Sequence, residues 1–332
     1  GKKVFVKPNM LGPMPPESNV CTHPSVVREV IAALEKRGAA EVLVGDNSGM
    51  RGYGSNVQCA KATGLYEVAG GRFVNISDDP RRVETDSRFA SEMVVSGQIL
   101  DADVFISLPK MKTHVATGIT GGLKNSYGIL VGGQKTMLHR AARGPVNFAE
   151  VVLDAFAIRP PDFLIMDAVC GMEGQGPAGG KTRHIGRLLA STNAAAMDVV
   201  MTAMMGVSPE AVPMLCIANE RGLGPINTDE IDVEGPFYVL DDFKTPGIGM
   251  GLGTLASRLM GHLIVTQPRA DKTVCVRCEA CAKICPVEAI TMDPFPVINK
   301  AKCISCFCCH ELCKYTAMQI SRRMRFFQRA SH

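Results

Sequence analysis

Eight cysteines near the C-terminus constrain this chain more than any other feature. Cys275, Cys278, Cys281 and Cys285 follow the pattern C-x2-C-x2-C-x3-C and are closed by Pro286. Cys303, Cys306, Cys309 and Cys313 repeat that spacing with Lys314 after the last. A tight loop with thiols at these offsets turns three sulfurs toward one cubane, and the fourth cysteine of each run reaches across to the other cluster. The spacing therefore assigns Cys275, Cys278, Cys281 and Cys313 to one 4Fe–4S cluster, and Cys303, Cys306, Cys309 and Cys285 to a second. Paired zinc sites are the competing reading. They are disfavoured because such sites join two C-x2-C units and lack third and fourth cysteines at these offsets. Cys308 is an extra thiol, read as small buried filler.

The two runs form an internal repeat. A strand-like stretch follows each, at residues 289–292 and 317–320, and Pro294, Pro296 and Asn299 mark turns between them. The segment resembles bacterial two-cluster ferredoxins throughout, and Lys314, which departs from the pattern, is not a ligand position. A ferredoxin-like domain over residues 271–320 is expected, then a basic tail over 321–332 with Arg322, Arg323, Arg325, Phe326 and Phe327.

The remainder is large. A chain of 332 residues suggests about two domains, and 46% apolar with 20% charged residues is an ordinary globular composition. The other cysteines, Cys21, Cys59, Cys170 and Cys216, are scattered, unlike a disulfide scaffold. Clustered cysteines point to metal and to a reducing cytoplasm. No stretch is long and apolar enough for an integral membrane span. The nearest, residues 247–265, is glycine-rich and broken by Arg258 and His262, so residues 244–270 read as a linker and amphipathic helix. No signal peptide is evident, although a segment before Gly1 could have carried a targeting signal. The net charge of +4 neither shows nor excludes a basic face. Nucleic acid is not an expected partner: no zinc finger or helix-turn-helix signal occurs, aromatics make up 5% and tryptophan is absent.

Residues 1–243 read as alternating strands and helices. Val4–Val6 is a strand running into Lys7-Pro8-Asn9. Residues 24–37 carry Val26, Val27, Val30, Ile31 and Leu34 at helical spacing, and Gly38 stops them. Residues 41–44 form a strand ending in Gly45-Asp46-Asn47, residues 104–108 one ending in Pro109-Lys110, and residues 163–166 one ending in Asp167. This is the pattern of an open, mostly parallel α/β sheet. Ligands of such sheets sit at the carboxyl ends of the strands, which makes the polar residues after each strand site candidates. Foremost is Lys110-Met111-Lys112-Thr113-His114, read as a loop, followed by Gly121-Gly122-Leu123-Lys124-Asn125. Lysines with glycine-rich backbone suit a phosphate or carboxylate, and His114 could shuttle a proton near neutral pH. A second glycine-rich loop, residues 171–180, lacks a P-loop ending and a dinucleotide fingerprint. Asp198 opens an apolar helix, as a cap or as a site residue.

These residues carry a resemblance. Lys7-Pro8-Asn9, Asp46-Asn47, residues 109–114, residues 121–125 and the Asp198 segment resemble the domain-of-unknown-function family 362, whose members often end in a two-cluster ferredoxin module. The resemblance implies an iron–sulfur protein of anaerobic or facultative microbes and names no substrate. A looser likeness is to the N-terminal domain of lactate racemases that use a nickel-pincer nucleotide, through His23-Pro24, His114, Gly121-Gly122 and Lys124. The ferredoxin module argues against transferring that activity, and nickel would mark it.

The leading expectation is an iron–sulfur oxidoreductase that passes low-potential electrons from two 4Fe–4S clusters to an anionic small-molecule substrate or cofactor. His114, Lys124 and Lys112 are its candidate catalytic residues, and Lys7, Asn9, Asp46, Lys110, Asn125 and Asp198 its candidate binding residues. A redox protein is the expected donor or acceptor. The alternative is a non-catalytic electron carrier or cluster-handling partner of a larger enzyme.

Overall fold

The structure is a computed structural model that describes residues 1–48, 55–246, 264–311, 313 and 315–324. The first strand, β1 (Lys3–Pro8), leads into helix α1 (Pro24–Lys36) and returns as β2 (Glu41–Val44), parallel to β1. Pro24 opens α1 where its missing N–H is not needed, and the His23 side chain accepts from Ser25 N at 3.3 Å. Helices α2 (Ser55–Ala62) and α3 (Leu65–Ala69) follow. An antiparallel ribbon, β3 (Pro80–Ser87) and β4 (Ala90–Ser96), and the turn α4 (Gly97–Leu100) lead to β5 (Val104–Leu108), which lies parallel to β1 on its other side.

Beyond β5 the structure departs from the expected loop. Lys110–His114 is a strand, β6, and it is wholly buried. The pairing explains this. Strand β8 (Phe163–Glu173) pairs in parallel with β5 through Phe163 and Leu164, and with β6 through Asp167 and Met172. Strands β5 and β6 are thus two halves of one partner along a single edge of β8, interrupted at Pro109. Proline lacks an N–H for the ladder, yet its carbonyl still accepts from Asp167 N at 2.8 Å. The β8 strand likewise runs past Met166, so Asp167 lies within it and the glycine-rich loop is confined to residues 174–180. Strand β7 (Gly118–Thr120) pairs antiparallel with β6, and β9 (Lys181–Ser191) with the far edge of β8. The seven strands run β2-β1-β5-β8-β6-β7 with β9 beside β8, an open, mostly parallel sheet.

Helices α5 (Gly122–Asn125), α6 (Gln134–Ala141) and α7 (Pro145–Ile158) lie between β7 and β8, and α8 (Ala194–Met204) and α9 (Pro213–Glu220) follow β9. Strand alternation divides the apolar residues between two faces. Phe5, Phe105, Leu164 and Met166 enter one core with α7 and α8, whereas Val4, Val6, Ile106 and Leu108 enter the other with α1, α2 and α3. Burial on both faces is why these strands read as unbroken apolar runs.

The C-terminal module begins before the expected boundary. Strand β10 (Ile264–Ala270) pairs antiparallel with β13 (Met318–Met324), which takes in the start of the expected tail. Between them lie α10 (Ala280–Ile284), the hairpin β11 (Ile290–Asp293) and β12 (Phe295–Ile298), and α11 (Cys308–Glu311). The amphipathic helix expected near Arg258 and the tail beyond Met324 lie outside the described residues.

Candidate functional site

The strand order turns outward in both directions from β1, with β2 on one side and β5 on the other. A ligand site is expected at the carboxyl ends of strands beside such a switch point, and a polar network occupies that place. Lys7, second to last in β1, and Lys110 and Lys112 in β6 are 0%, 0% and 1% exposed. Buried ammonium groups cost several kcal/mol apiece unless paired and hydrogen-bonded, so their partners define the site.

Lys7 Nζ meets Asp46 Oδ1 at 2.8 Å. The same carboxylate accepts Met10 N at 2.7 Å and Asn47 N at 2.8 Å. Burial holds the Lys7 pKa below its ordinary value, and Asp46 works against that by charge and by hydrogen bond. On the other face, Lys110 Nζ meets Asp167 Oδ2 at 2.7 Å, and that oxygen also accepts His23 N at 2.9 Å, which ties β6 and β8 to the start of α1. Lys112 Nζ donates to Asn9 Oδ1 at 2.9 Å and to Val20 O at 2.8 Å. Asn9, just past β1, passes the network across the sheet end. Its Nδ2 donates to Asn125 Oδ1 at 3.1 Å, and Asn125 Nδ2 donates to Ser107 Oγ at 2.9 Å. Lys7, Asn9, Asp46, Lys112 and Asn125 thus lie in one region, with Lys110 bonded to Asp167 on the α1 side.

His114, also buried, takes Ala116 N at 3.1 Å and Thr117 N at 3.3 Å on Nδ1. A ring nitrogen that accepts carries no hydrogen, which places it on Nε2 when the ring is neutral. Lys124 is half-buried in α5. Asp198 lies in the middle of α8 rather than at its start, and the cap of that helix is Asn193, which accepts from Ala196 N. The Asp198 oxygens accept Gly122 N at 2.6 Å and Leu123 N at 3.0 Å, so the carboxyl group closes the start of α5. Burial pushes its pKa up to about 7 against those two hydrogen bonds.

Three contributors carry no sequence signal. Lys135, from α6, donates to Asn47 O. Ser107 supports Asn125 from β5. Gly128 lies where a Cβ would come within 2.5 Å of Lys7 Nζ and 2.4 Å of Asp46 Oδ1. A close approach of backbone to an ion pair is legible in a single sequence only as an unremarkable glycine.

In the C-terminal module the eight cysteines ring two hollows. One is lined by Cys275, Cys278, Cys281 and Cys313. The other is lined by Cys285, Cys303, Cys306 and Cys309. Each set draws three thiols from one run and the fourth from the other. Among the described residues no group of three or more His, Cys, Asp or Glu is placed to hold a single metal ion. Burial pushes the Cys281 thiol up to about 11, with repulsion from Cys313 and Cys275 adding to it, and Cys309 is raised further by burial and its neighbours. Such thiols ionise only when a metal supplies the compensating charge. The donor set fits iron–sulfur chemistry.

The sequence matches the family described as Domain of unknown function (DUF362) over residues 4–203 and the 4Fe-4S binding domain over residues 268–291. The thylakoid-associated protein sll1697 of Synechocystis sp. is 30% identical over 264 residues, covering 75% of this chain and 78% of that protein. Among solved structures, the lactate racemase apoprotein of Thermoanaerobacterium thermosaccharolyticum aligns at 16% identity and a TM-score of 0.39, over 58% of this chain and 46% of its own. A Thermotoga maritima protein aligns at 17% identity and a TM-score of 0.37, over 57% of this chain and 50% of its own. The chain therefore spans about half the length of those two structures. No helix among the described residues is long and apolar enough to cross a membrane. The chain belongs to the DUF362 family and joins that domain to a 4Fe–4S binding domain.

Proposed function

We propose that the protein is an iron–sulfur oxidoreductase holding two 4Fe–4S clusters, and that its α/β domain binds the anionic small molecule that receives the electrons. The carrying observation is the pair of four-cysteine rings, each completed by a cysteine from the other run. A bound 4Fe–4S cluster supplies one-electron transfer at potentials that extend well below those of nicotinamides. The remaining roles fall to the chain. Lys112 and Asn9 hold an anionic group at the sheet end, Asn125 orients it, and Lys124 approaches from α5. His114 delivers a proton from Nε2. Lys7 with Asp46 and Lys110 with Asp167 fix the frame as closed ion pairs. Asp198 sets the position of Lys124 by holding the first turn of α5. A redox protein of a reducing cytoplasm is the donor.

Iron and sulfide analysis after anaerobic purification tests the first half of this reading. About eight irons per chain, two four-iron clusters, are expected, and zinc without sulfide would overturn it. His114→Gln and Lys124→Met test the second half. Both should abolish turnover and leave the cluster absorbance intact, and wild-type rates in both would refute the site. The second reading, a carrier without its own substrate, is favoured by the internal pairing of Lys7 and Lys110, whose charges are already met by carboxylates. It predicts tight binding of a larger redox protein and no small-molecule turnover.

A further inference from the structure

The cysteine repeat allows the two loops to be compared residue by residue, because Cys275 and Cys303 are 28 residues apart and the other six cysteines keep that offset. The backbones agree. Arg277 and Ser305 have φ of 59° and 54°, and Glu279 and Phe307 both have φ of 60°. Their surroundings do not agree. Val276 is 52% exposed and its counterpart Ile304 7%. Glu279 is exposed, whereas Phe307 is buried. Ala282 is matched by His310, also buried. Of the eight thiols, Cys278 in the first loop is the exposed one and its counterpart Cys306 is half-buried, whereas Cys281 and its counterpart Cys309 are both buried.

His310 reaches out of its module. Its Nδ1 faces Met318 O within the module, and its Nε2 lies 3.3 Å from Gln175 O in the glycine-rich loop of the α/β domain. A Cβ at Gly179 would lie 3.5 Å from His310 Cε1, so the loop packs against the ring. The same loop is gripped from behind by the end of β6. Thr113 Oγ1 donates to Gly174 O at 2.9 Å, and Val115 N donates to Gly176 O at 3.1 Å. At Gly176 a Cβ would fall 2.0 Å from Thr113 O, so only glycine allows that approach. The loop is held between His310 and the strand that carries Lys112 and His114.

We infer that the second cysteine loop is the face by which the iron–sulfur module docks on the α/β domain, with His310 as its positioning residue, and that the first loop is the outward face open to external one-electron reagents. The inference rests on the two-cluster reading above. It also accounts for the side-chain differences: the docked copy carries Ile, Phe and His where the outward copy carries Val, Glu and Ala.

The test uses the anaerobically prepared, iron-loaded protein with ferricyanide as the one-electron oxidant, EDTA to trap released iron, and iodoacetamide to mark freed thiols. Peptide mapping should find Cys275 and Cys278 alkylated several-fold faster than Cys303 and Cys306. His310→Ala should bring the second pair up toward the rate of the first. Gly179→Leu, a wedge placed outside the module, should do the same without altering the module's own packing. Backbone amide exchange over residues 174–180 should rise in both variants. Equal alkylation of the two pairs in the wild type, or unchanged protection of the second pair in both variants, would overturn the inference. Iron near four per chain, a single cluster, would instead sink the reading on which it rests, so the two failures are distinct.

Discussion

Replacing Asp46 by alanine removes the partner of an ammonium group with a side-chain exposure of 1%. Breaking a buried ion pair in this way costs about 3–5 kcal/mol, because the remaining charge is desolvated without compensation. Two further losses act in the same direction, since the Asp46 carboxylate also accepts Met10 N and Asn47 N, and a buried N–H left without an acceptor costs about 1–3 kcal/mol. The expected loss therefore lies at the upper end of the first range, a large part of the ~5–15 kcal/mol available to a domain. Urea unfolding followed by far-UV circular dichroism, at pH 7 and constant iron loading, measures it. Three comparisons separate the causes. Asp46→Asn keeps an acceptor and removes the charge, so it should fall between alanine and the wild type. Lys7→Met combined with Asp46→Leu should recover most of the loss, because a buried pair is often replaceable by apolar residues of similar volume. Glu29→Ala breaks an exposed pair with Arg28, at 70% and 61% side-chain exposure, and should cost under about 1 kcal/mol. The alanine variant also has a pH signature. Burial already holds Lys7 below 10.5, and without Asp46 that depression deepens. The unfolded chain then binds more protons than the folded one below 10.5, so the variant regains stability as pH rises toward that value. An Asp46→Ala protein within about 1 kcal/mol of wild type would refute the argument that Lys7 depends on this carboxylate.

Asp198 gives the opposite pH dependence. Its folded pKa of about 7 exceeds the unfolded value of 3.8, so the folded state holds a proton that the unfolded state has lost. Stability should fall as pH rises through that window and level off above it. Urea midpoints at pH 5 and pH 8 should show the decline in the wild type and a flatter profile in Asp198→Asn. Gly121→Ala would place a Cβ 2.1 Å from Asp198 Oδ1. Such overpacking costs about 1–3 kcal/mol, and the shift of α5 should also weaken any binding that uses Lys124. A thermal midpoint equal to wild type would refute that close approach.

The two cysteine rings were legible because ligand spacing is a local property of the chain, and the crossing of Cys285 and Cys313 follows from the repeat. The same holds for β1, α1, β2 and β5, whose apolar periodicity and flanking Pro24 and Gly38 act over a few residues. Lys110–His114 reads as a loop from sequence for an equally physical reason, although it is the buried strand β6. A Lys-Met-Lys-Thr-His sequence looks solvated until Asp167, Asn9 and the Val20 carbonyl are brought to its ammonium groups from elsewhere in the chain. Asp198 reads from sequence as the start of a helix, whereas its hydrogen-bond partners Gly122 N and Leu123 N come from a segment 76 and 75 residues away.

By itself, then, the sequence determined the iron–sulfur module, the α/β class and the set of polar residues gathered near the strand ends, since each depends on spacing or short-range periodicity. Only the tertiary structure decided which of those lysines are closed ion pairs, that Asn9 joins the two faces of the sheet, and that the second cysteine loop meets the large domain. Those outcomes depend on which distant oxygen fills the place beside a buried charge, and no local pattern encodes that.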